Sequence, residues 1–262
     1  MKYLIILFSI IAVLFFSILV YTQNIQYYRP RILTSQNSLP LISKKIRILS
    51  LNIKGIPFAM DKNRLQNLLL FLNNIKNDVE VIFLQEVFLG HTKNEIIKLF
   101  DNWSIVIADG KRLGRFVDSG LMIISKIKLG DSLAISYGGG VGTDMLSNKG
   151  MVITELYINK RKLRIANLHL QDRWWVFADK ENDKQFKYAT EIEFIDFICG
   201  DFNKESHLTP NKIKNLHKIN PITNTCDEGK ILDYSYSKLP GKIKVLPDIV
   251  SDHSPILIEL NI

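Results

Sequence analysis

Polar residues stand directly at the ends of four apolar, strand-like runs, and this placement constrains the chain more than any other feature. The four strings are LNIKGIP at residues 51–57, LQEVF at 84–88, GDFN at 200–203 and SDHSP at 251–255. A rigid sheet presents polar groups from its strand ends into a shared cleft. One carboxylate at a strand end is ordinary, but these ends together supply Asn52, Glu86, Asp201, Asn203, Asp252 and His253. The set predicts a metal-assisted hydrolase.

Hydrophobic periodicity along the chain predicts an α+β fold. Strand-like runs fall at 46–53, 79–84, 104–108, 121–125, 197–200, 232–235 and 256–260, and a hairpin is predicted from 151–158 and 163–170. Helical spacing marks 63–75, with Asp61 as its N-cap, and also 94–100 and 184–196. We therefore expect a four-layer α/β/β/α sandwich of two packed, mostly antiparallel sheets, with an N-terminal hydrophobic helix.

The first twenty residues differ from the rest. Lys2 precedes an uncharged, almost wholly apolar run at 4–20, which is at the lower limit for crossing a bilayer and longer than a typical signal-peptide core. We predict a signal anchor at residues 1–21, with a cleaved signal peptide as the second interpretation. A linker at 22–44 and a catalytic domain at 45–262 follow. The expected localisation is membrane-anchored through a single-pass helix, or secreted, rather than soluble in the cytoplasm.

The balance of charges favours an anionic partner. Lys and Arg number 34 against 26 Asp and Glu, which gives a formal net charge of +8. A phospholipid surface, nucleic acid or a phosphorylated small molecule would suit this charge, and no protein partner is inferred. The chain has no G-x-x-x-x-G-K-[ST] loop, no G-x-S-x-G elbow and no zinc-type Cys/His cluster. With those motifs absent, metal-dependent phosphoester hydrolysis is the interpretation that requires the fewest assumptions.

Mg²⁺ takes oxygen ligands and usually only one or two carboxylates from a protein. Glu86 is the best candidate ligand, whereas Asn52 could either supply an oxygen or position Glu86. Asp201 and Asn203 suit water activation and phosphate binding. Neighbouring residues of a strand point to opposite faces, so the acid that orients His253 should be Asp233 rather than Asp252.

The same motifs, in this order, resemble the endonuclease/exonuclease/phosphatase superfamily, with its deoxyribonuclease-like fold. The similarity runs from about residue 46 to residue 262, nearly the whole domain, and the sphingomyelinase branch looks closest. The resemblance implies a metal site at Asn52 and Glu86, with Asp252 supporting it, and catalytic roles for the remaining matched residues. These are His253, Asp201, Asn203, His169 of the N-x-H motif with Asn167, and Asp233. It also implies that Lys149, five residues after Asp144, approaches the substrate phosphate.

The expected activity is hydrolysis of a membrane phospholipid, foremost sphingomyelin to ceramide and phosphocholine, with Mg²⁺ or Mn²⁺ as the cofactor. Trp174, Trp175 and Phe177 follow His169 and would suit a lipid interface if exposed. The first alternative is an anchored or secreted deoxyribonuclease-like endonuclease, since a basic cleft also serves a DNA backbone. The second is an inactive membrane-tethered binding protein. The stretch 172–199 is shorter than the branch usually has, which could reshape the cleft wall.

Overall fold

Short strands make up most of the regular structure. The computed structural model describes residues 9–11, 13, 24–56, 59–110, 112–247 and 250–262. In chain order its strands are β1 (Gln26–Tyr28), β2 (Arg31–Leu33), β3 (Lys45–Asn52), β4 (Val81–Gln85), β5 (Ser104–Ile107), β6 (Met122–Ser125), β7 (Leu129–Ser136), β8 (Gly150–Ile158), β9 (Arg161–His169), β10 (Phe197–Asp201), β11 (Lys212–Ile213), β12 (Leu216–Ile219), β13 (Asp233–Ser237), β14 (Gly241–Val245) and β15 (Ile256–Asn261). The helices are α1 (Lys62–Ile75), α2 (Gly90–Leu99) and α3 (Ala178–Glu191), with 3₁₀ turns at Gly142–Leu146 and Ser206–Leu208.

The strands form two sheets that pack face to face. One sheet has the order β1-β7-β8-β9-β10-β13-β12-β11, and the other has the order β14-β15-β3-β4-β6-β5-β2. Side chains from both sheets meet in one central core, for example Phe83 of β4 and Phe197 of β10, whose ring centroids lie 6.1 Å apart. The predicted α+β sandwich of two packed sheets is confirmed.

The helices cover the outer faces of the sheets. Leu68 and Leu72 of α1 and Ile96 of α2 are buried against the second sheet. Ala189 of α3 is buried against the first. The predicted N-cap of α1 is confirmed, since the Asp61 side chain accepts a hydrogen bond from the Arg64 N–H.

Among the described strands, two pairs of neighbours run parallel, and this fixes where the site forms. β3 runs parallel to β4, with Asn52 opposite Gln85, and β9 runs parallel to β10, with His169 opposite Asp201. The carboxyl ends of each parallel pair therefore lie at the same edge of their sheet. Three of the four polar strand ends singled out in the sequence, those of Asn52, Glu86 and Asp201, come from these pairs. The fourth, with His253, precedes β15, which runs antiparallel to β3 and therefore begins at the same edge of the sheet.

Some elements differ from their prediction. α3 begins and ends about one and a half turns earlier than the predicted helix at 184–196. Its first two turns, ADKENDK, have little apolar periodicity. Ile192, Phe194 and Ile195 have the apolar spacing of a helix, but they lie after the helix has ended. Within the predicted linker at 22–44, β1 pairs with β7 and β2 with β5, so the segment adds an edge strand to each sheet.

The predicted membrane-anchored localisation is wrong. In the described part of the chain no helix is both long enough and apolar enough to cross a bilayer. The run at 4–20 and the predicted N-terminal helix fall mostly outside the described residues, which here include only 9–11 and 13.

Candidate active site

One asparagine joins the strand ends of the two sheets. Asn52 is buried, and its Nδ2 donates to Glu86 Oε1 and to Asp201 Oδ2, at 3.0 Å each. Its Oδ1 accepts the Lys54 backbone N–H at 2.9 Å. That N–H can only donate, so it identifies the oxygen side of the amide, which is turned away from the two carboxylates. The geometry therefore favours the positioning role for Asn52 over the ligand role.

The two carboxylates that Asn52 holds resist ionisation. Burial, together with the charge of the neighbouring Asp233, raises the pKa of Asp201 to about 7 against the opposing effect of His253. Burial also raises the pKa of Glu86 from its ordinary value, although Lys149 acts in the opposite direction. Glu86 has a φ of +58°, a strained conformation for a residue with a side chain, at the point where the chain leaves β4. The negative charge at this site is therefore only partly compensated by the protein.

His253 lies between two acids from the other sheet. Its Nδ1 is 2.8 Å from Asp233 Oδ2, and its Nε2 is 3.8 Å from Asp201 Oδ2. Burial alone would lower the pKa of His253, but the charges of Asp233 and Asp201 raise it well above its ordinary value. Asp201 and Asp233 are themselves cross-strand partners in the β10–β13 pair. The imidazole is thus held in its charged form with one N–H directed at Asp233.

His169 and Lys149 form a second buried pair beside the carboxylates. Lys149 Nζ is 3.0 Å from His169 Nε2, 2.8 Å from Asp144 Oδ2 and 2.9 Å from the Leu170 carbonyl oxygen. Burial and the charge of Lys149 hold the pKa of His169 well below its ordinary value. His169 is therefore neutral, and its Nε2 accepts a hydrogen bond from the ammonium.

Asn203 and Asp252, the remaining predicted site residues, are each held by hydrogen bonds or an ion pair. Asn203 donates from its Nδ2 to the Leu170 carbonyl at 3.0 Å, and its backbone N–H donates to Asp201 Oδ1 at 2.8 Å. Asp252 forms an ion pair with Lys54, in which Oδ2 accepts from Nζ at 2.5 Å. Burial raises the pKa of Asp252, but the Lys54 bond and the charges of His253 and Lys54 together lower it below its ordinary value.

A cross-sheet link beneath the site was not assigned from the sequence. Gln85 donates from its Nε2 to Asn167 Oδ1 at 2.7 Å, and Asn167 donates from its Nδ2 to the carbonyl oxygens of Leu84 and Met122. Gln85 and Asn167 are both fully buried. The signal was present in the sequence, because a Gln before Glu86 and an Asn before His169 put polar side chains where a strand should be apolar.

A single open cleft, about 1390 Å³ in volume, brings most of the predicted residues together. Its lining includes Glu86, Lys149, His169, Asp201, Asn203, Asp252 and His253, whereas Asn52 and Asp233 lie beneath them. Lys54 and Trp174 also line this cleft.

The described lining of the cleft is acidic, in contrast to the net charge of the chain. Nine carboxylates lie there, namely Glu86, Asp144, Asp172, Asp179, Asp201, Glu205, Asp227, Glu228 and Asp252. The only Lys and Arg among these lining residues are Lys54, Lys149, Arg173 and Lys230. The nuclease interpretation assumed a basic cleft, and the described residues form an acidic one.

The cleft mouth carries an apolar projection, residues 174–177, which we call the aromatic segment. The exposed fractions of Trp174, Trp175, Val176 and Phe177 are 77%, 50%, 76% and 71%. Trp175 packs over Gly142, where an added Cβ would lie 2.3 Å from the indole ring. The segment directly precedes α3, in the short stretch after His169.

The donor set fits a divalent metal ion. Glu86 and Asp201 supply two carboxylates, both bonded to Asn52, whose pKa values are raised by burial even though Lys149 and His253 act in the opposite direction. The potential ligand atoms of Asp201, Asp233 and His253 also lie within 4.8 Å of one another. Because His253 Nδ1 is already engaged by Asp233, that group is better described as a hydrogen-bonded Asp233–His253 pair with Asp201 3.8 Å from the imidazole, and we call these three residues the triad. Glu86, with Asp201 beside it, is the part of the site that would hold the ion.

Comparison with known proteins points in the same direction as the geometry. No family model matches the chain. A sphingomyelinase C from Bacillus cereus is 30% identical over 112 residues, which cover 37% of this chain and 33% of that protein. A second is 27% identical over 150 residues, or 52% of this chain and 44% of that protein. The chain thus spans less than half the length of these curated relatives.

Solved structures share the fold over most of the chain. A Staphylococcus aureus beta toxin with bound magnesium ions superimposes with a TM-score of 0.68 at 17% identity, covering 82% of this chain and 99% of that one. Sphingomyelinase C from Streptomyces griseocarneus gives 0.68 at 16% identity, covering 84% and 100%. TDP2 from C. elegans gives 0.64 at 15% identity, covering 83% and 75%.

The fold is endonuclease/exonuclease/phosphatase-like. Within that type, its similarities in sequence and structure place the chain near the sphingomyelinase branch.

Proposed function

We propose that the chain is a magnesium-dependent phosphodiesterase that hydrolyses sphingomyelin to ceramide and phosphocholine. The observation that carries this proposal is the meeting of Glu86, Asp201 and the Asp233–His253 pair in one cleft. The similarity to sphingomyelinases C supports the choice of substrate. A neighbour of the same fold with bound magnesium supports the choice of ion.

Each residue has a role that follows from its contacts. Asp201 lines the cleft, and burial raises its pKa to about 7, so it suits a base that orients and deprotonates the attacking water. His253, charged and held by Asp233, stabilises the negative charge that develops on the phosphoryl group. Asn203 and His169 shape the pocket beside it. A divalent ion bound at Glu86 would polarise a phosphoryl oxygen.

The surface around the site supports a lipid rather than a nucleic acid. An acidic cleft repels the regular phosphate charges of a DNA strand, whereas a zwitterionic head group has a positive end that carboxylates attract. The aromatic segment at the cleft mouth offers Trp side chains, which favour the boundary between lipid and water. We therefore propose a phospholipid surface as the partner of this face.

A panel of substrates tests the proposal. The purified chain is assayed for phosphocholine release from sphingomyelin micelles and for cleavage of plasmid DNA, each with Mg²⁺ and with EDTA. We expect metal-dependent phosphocholine release that is lost in His253→Ala and retained in His207→Ala, whose side chain is 70% exposed and is not among the lining residues of the cleft. Cleavage of DNA alone would support the endonuclease instead. Inactivity towards both substrates would support a binding protein.

A further inference from the structure

Two lysines reach the catalytic end of the cleft, and they differ in how many of their donors are in use. An ammonium group has three N–H donors. Lys149 directs its three at Asp144, His169 and the Leu170 carbonyl, and the residue is 8% exposed. A phosphoryl oxygen could bind Lys149 only if one of these buried contacts broke. The resemblance that assigned Lys149 to the substrate phosphate therefore meets a structural obstacle.

Lys54 is placed differently. Its side chain is 40% exposed in the cleft, and among the described residues its ammonium bonds only to Asp252. Two of its three donors consequently remain available towards the cleft. Asp252 has its other oxygen, Oδ1, within 3.1 Å of Ser251 Oγ, so the carboxylate that anchors Lys54 is itself held.

The backbone of Lys54 is tied to the same site. Its φ is +46°, in the left-handed region that a lysine adopts only at a cost of roughly 1 kcal/mol or more. In that conformation its N–H fixes Asn52, which in turn holds Glu86 and Asp201. Asp252, the anchor of its side chain, directly precedes His253. The backbone of Lys54 thus contacts the residue that holds the two carboxylates, and its side chain contacts the residue next to His253.

The other two Lys and Arg residues in the described lining are less well placed to bind a phosphoryl group beside His253. Arg173 pairs with Asp179, and Lys230 pairs with Glu228. Neither of these acids adjoins a residue of the triad in the sequence, whereas the partner of Lys54 does. Donor count therefore distinguishes Lys54 from Lys149, and an anchoring acid next to His253 distinguishes it from Arg173 and Lys230.

We infer that Lys54 is a further catalytic residue, whose ammonium, anchored by Asp252, donates hydrogen bonds to the phosphoryl oxygens of the substrate. The inference rests on the proposed phosphodiesterase function and deepens it. Hydrogen bonds from a charged donor to phosphate are among the strongest that side chains make. Lys149 then acts as a positioning residue, which holds His169 and Asp144 in place.

The test compares three substitutions in the full chain. Lys54→Met removes the ammonium, Lys54→Arg keeps the charge and the donors, and Lys45→Met is the matched control. Lys45 lies at the opposite end of β3 and forms an ion pair of the same kind, with Glu259 at 2.9 Å. The dissociation constant of inorganic phosphate is measured by ³¹P NMR titration, and kcat and KM are measured on sphingomyelin micelles.

We expect Lys54→Met to weaken phosphate binding by roughly tenfold or more, and to raise KM for the micelles. Lys54→Arg should recover most of the affinity, and Lys45→Met should match the wild type. A lysine that only holds the loop before His253 would lower kcat and the melting temperature in Lys54→Met while leaving phosphate affinity unchanged. That result, or a wild-type chain that binds no phosphate, overturns the assignment.

Failure of the proposed substrate would look different. A wild-type chain that binds phosphate but releases no phosphocholine from sphingomyelin contradicts the substrate proposal alone. The role of Lys54 is then judged by the phosphate titration of the same three variants.

Discussion

At the scale of single residues, the site depends on how His253 is held. Asp233 is the carboxylate bonded to its Nδ1, and of the three carboxylate charges that raise the pKa of His253 against the effect of burial, that of Asp233 is the largest. Asp233→Asn keeps the shape of the side chain but removes that charge. We expect the pKa of His253 to fall and kcat to drop by roughly a hundred- to ten-thousand-fold. NMR titration of the imidazole and steady-state assays measure the two effects.

A control for Asp233→Asn is Asp183→Asn. Asp183 is 58% exposed, forms a surface ion pair with Lys204 and makes no contact with the triad. This variant should leave kcat unchanged. If Asp233→Asn kept a kcat within about threefold of the wild type, the charged Asp233–His253 pair would not be part of the catalytic machinery.

A glycine beside the site provides a second prediction at the residue scale. A Cβ built on Gly55 would lie 2.4 Å from the Glu86 carbonyl oxygen, whereas one on Gly90 would meet no atom within 4 Å. Gly55→Ala must therefore displace the backbone of Glu86, with a loss of about 1–3 kcal/mol in the free energy of unfolding and weaker metal binding. Thermal unfolding and calorimetric titration with Mg²⁺ test this. Gly90→Ala should be neutral or slightly stabilising, and equal behaviour of the two variants would contradict the argument.

At the scale of elements, the aromatic segment is the part of the chain that the chemistry of the site does not explain. Apolar side chains with exposed fractions of 71–77% are costly in water unless another surface covers them. We expect Trp174→Ala to reduce hydrolysis of sphingomyelin in vesicles several-fold, with little change in the rate on a short-chain, water-soluble analogue. Vesicle co-sedimentation measures the binding step directly.

The comparison for Trp174→Ala is Ile222→Ala. Ile222 is 95% exposed but lies outside the cleft lining, so its removal should change neither vesicle binding nor rate. Equal losses on vesicles and on the soluble analogue in Trp174→Ala would mean that the segment shapes the active site rather than the contact with lipid.

At the scale of the whole molecule, the sequence predicted those elements that are determined by residues close together in the chain. The strand runs, α1 with its Asp61 cap and the hairpin around Asn159 and Lys160 were all accessible, because each is set by neighbouring residues. The short strands β1, β2, β11, β12 and β14 were not, since two to five residues carry too little periodicity, and the longer β7 was also missed because its first half is only partly buried. Pairing across the sheets depends on residues far apart in the chain. The donor count of Lys149 and the acidic character of the cleft therefore required three-dimensional contacts.

The link between the sheets gives the last prediction. Asn167 accepts from Gln85 and donates to two carbonyl oxygens of the facing sheet, with no exposure to water. Asn167→Ala leaves the buried Gln85 amide with fewer partners and opens space between the sheets, so we expect a loss of about 2–4 kcal/mol in the free energy of unfolding. Urea denaturation measures this loss, with the surface variant Asn37→Ala as the control. A loss below about 0.5 kcal/mol would show that apolar packing alone holds the sheets in register. A large loss would mean that the polar pair, placed under Glu86 and two residues before His169, also sets how the two halves of the site meet.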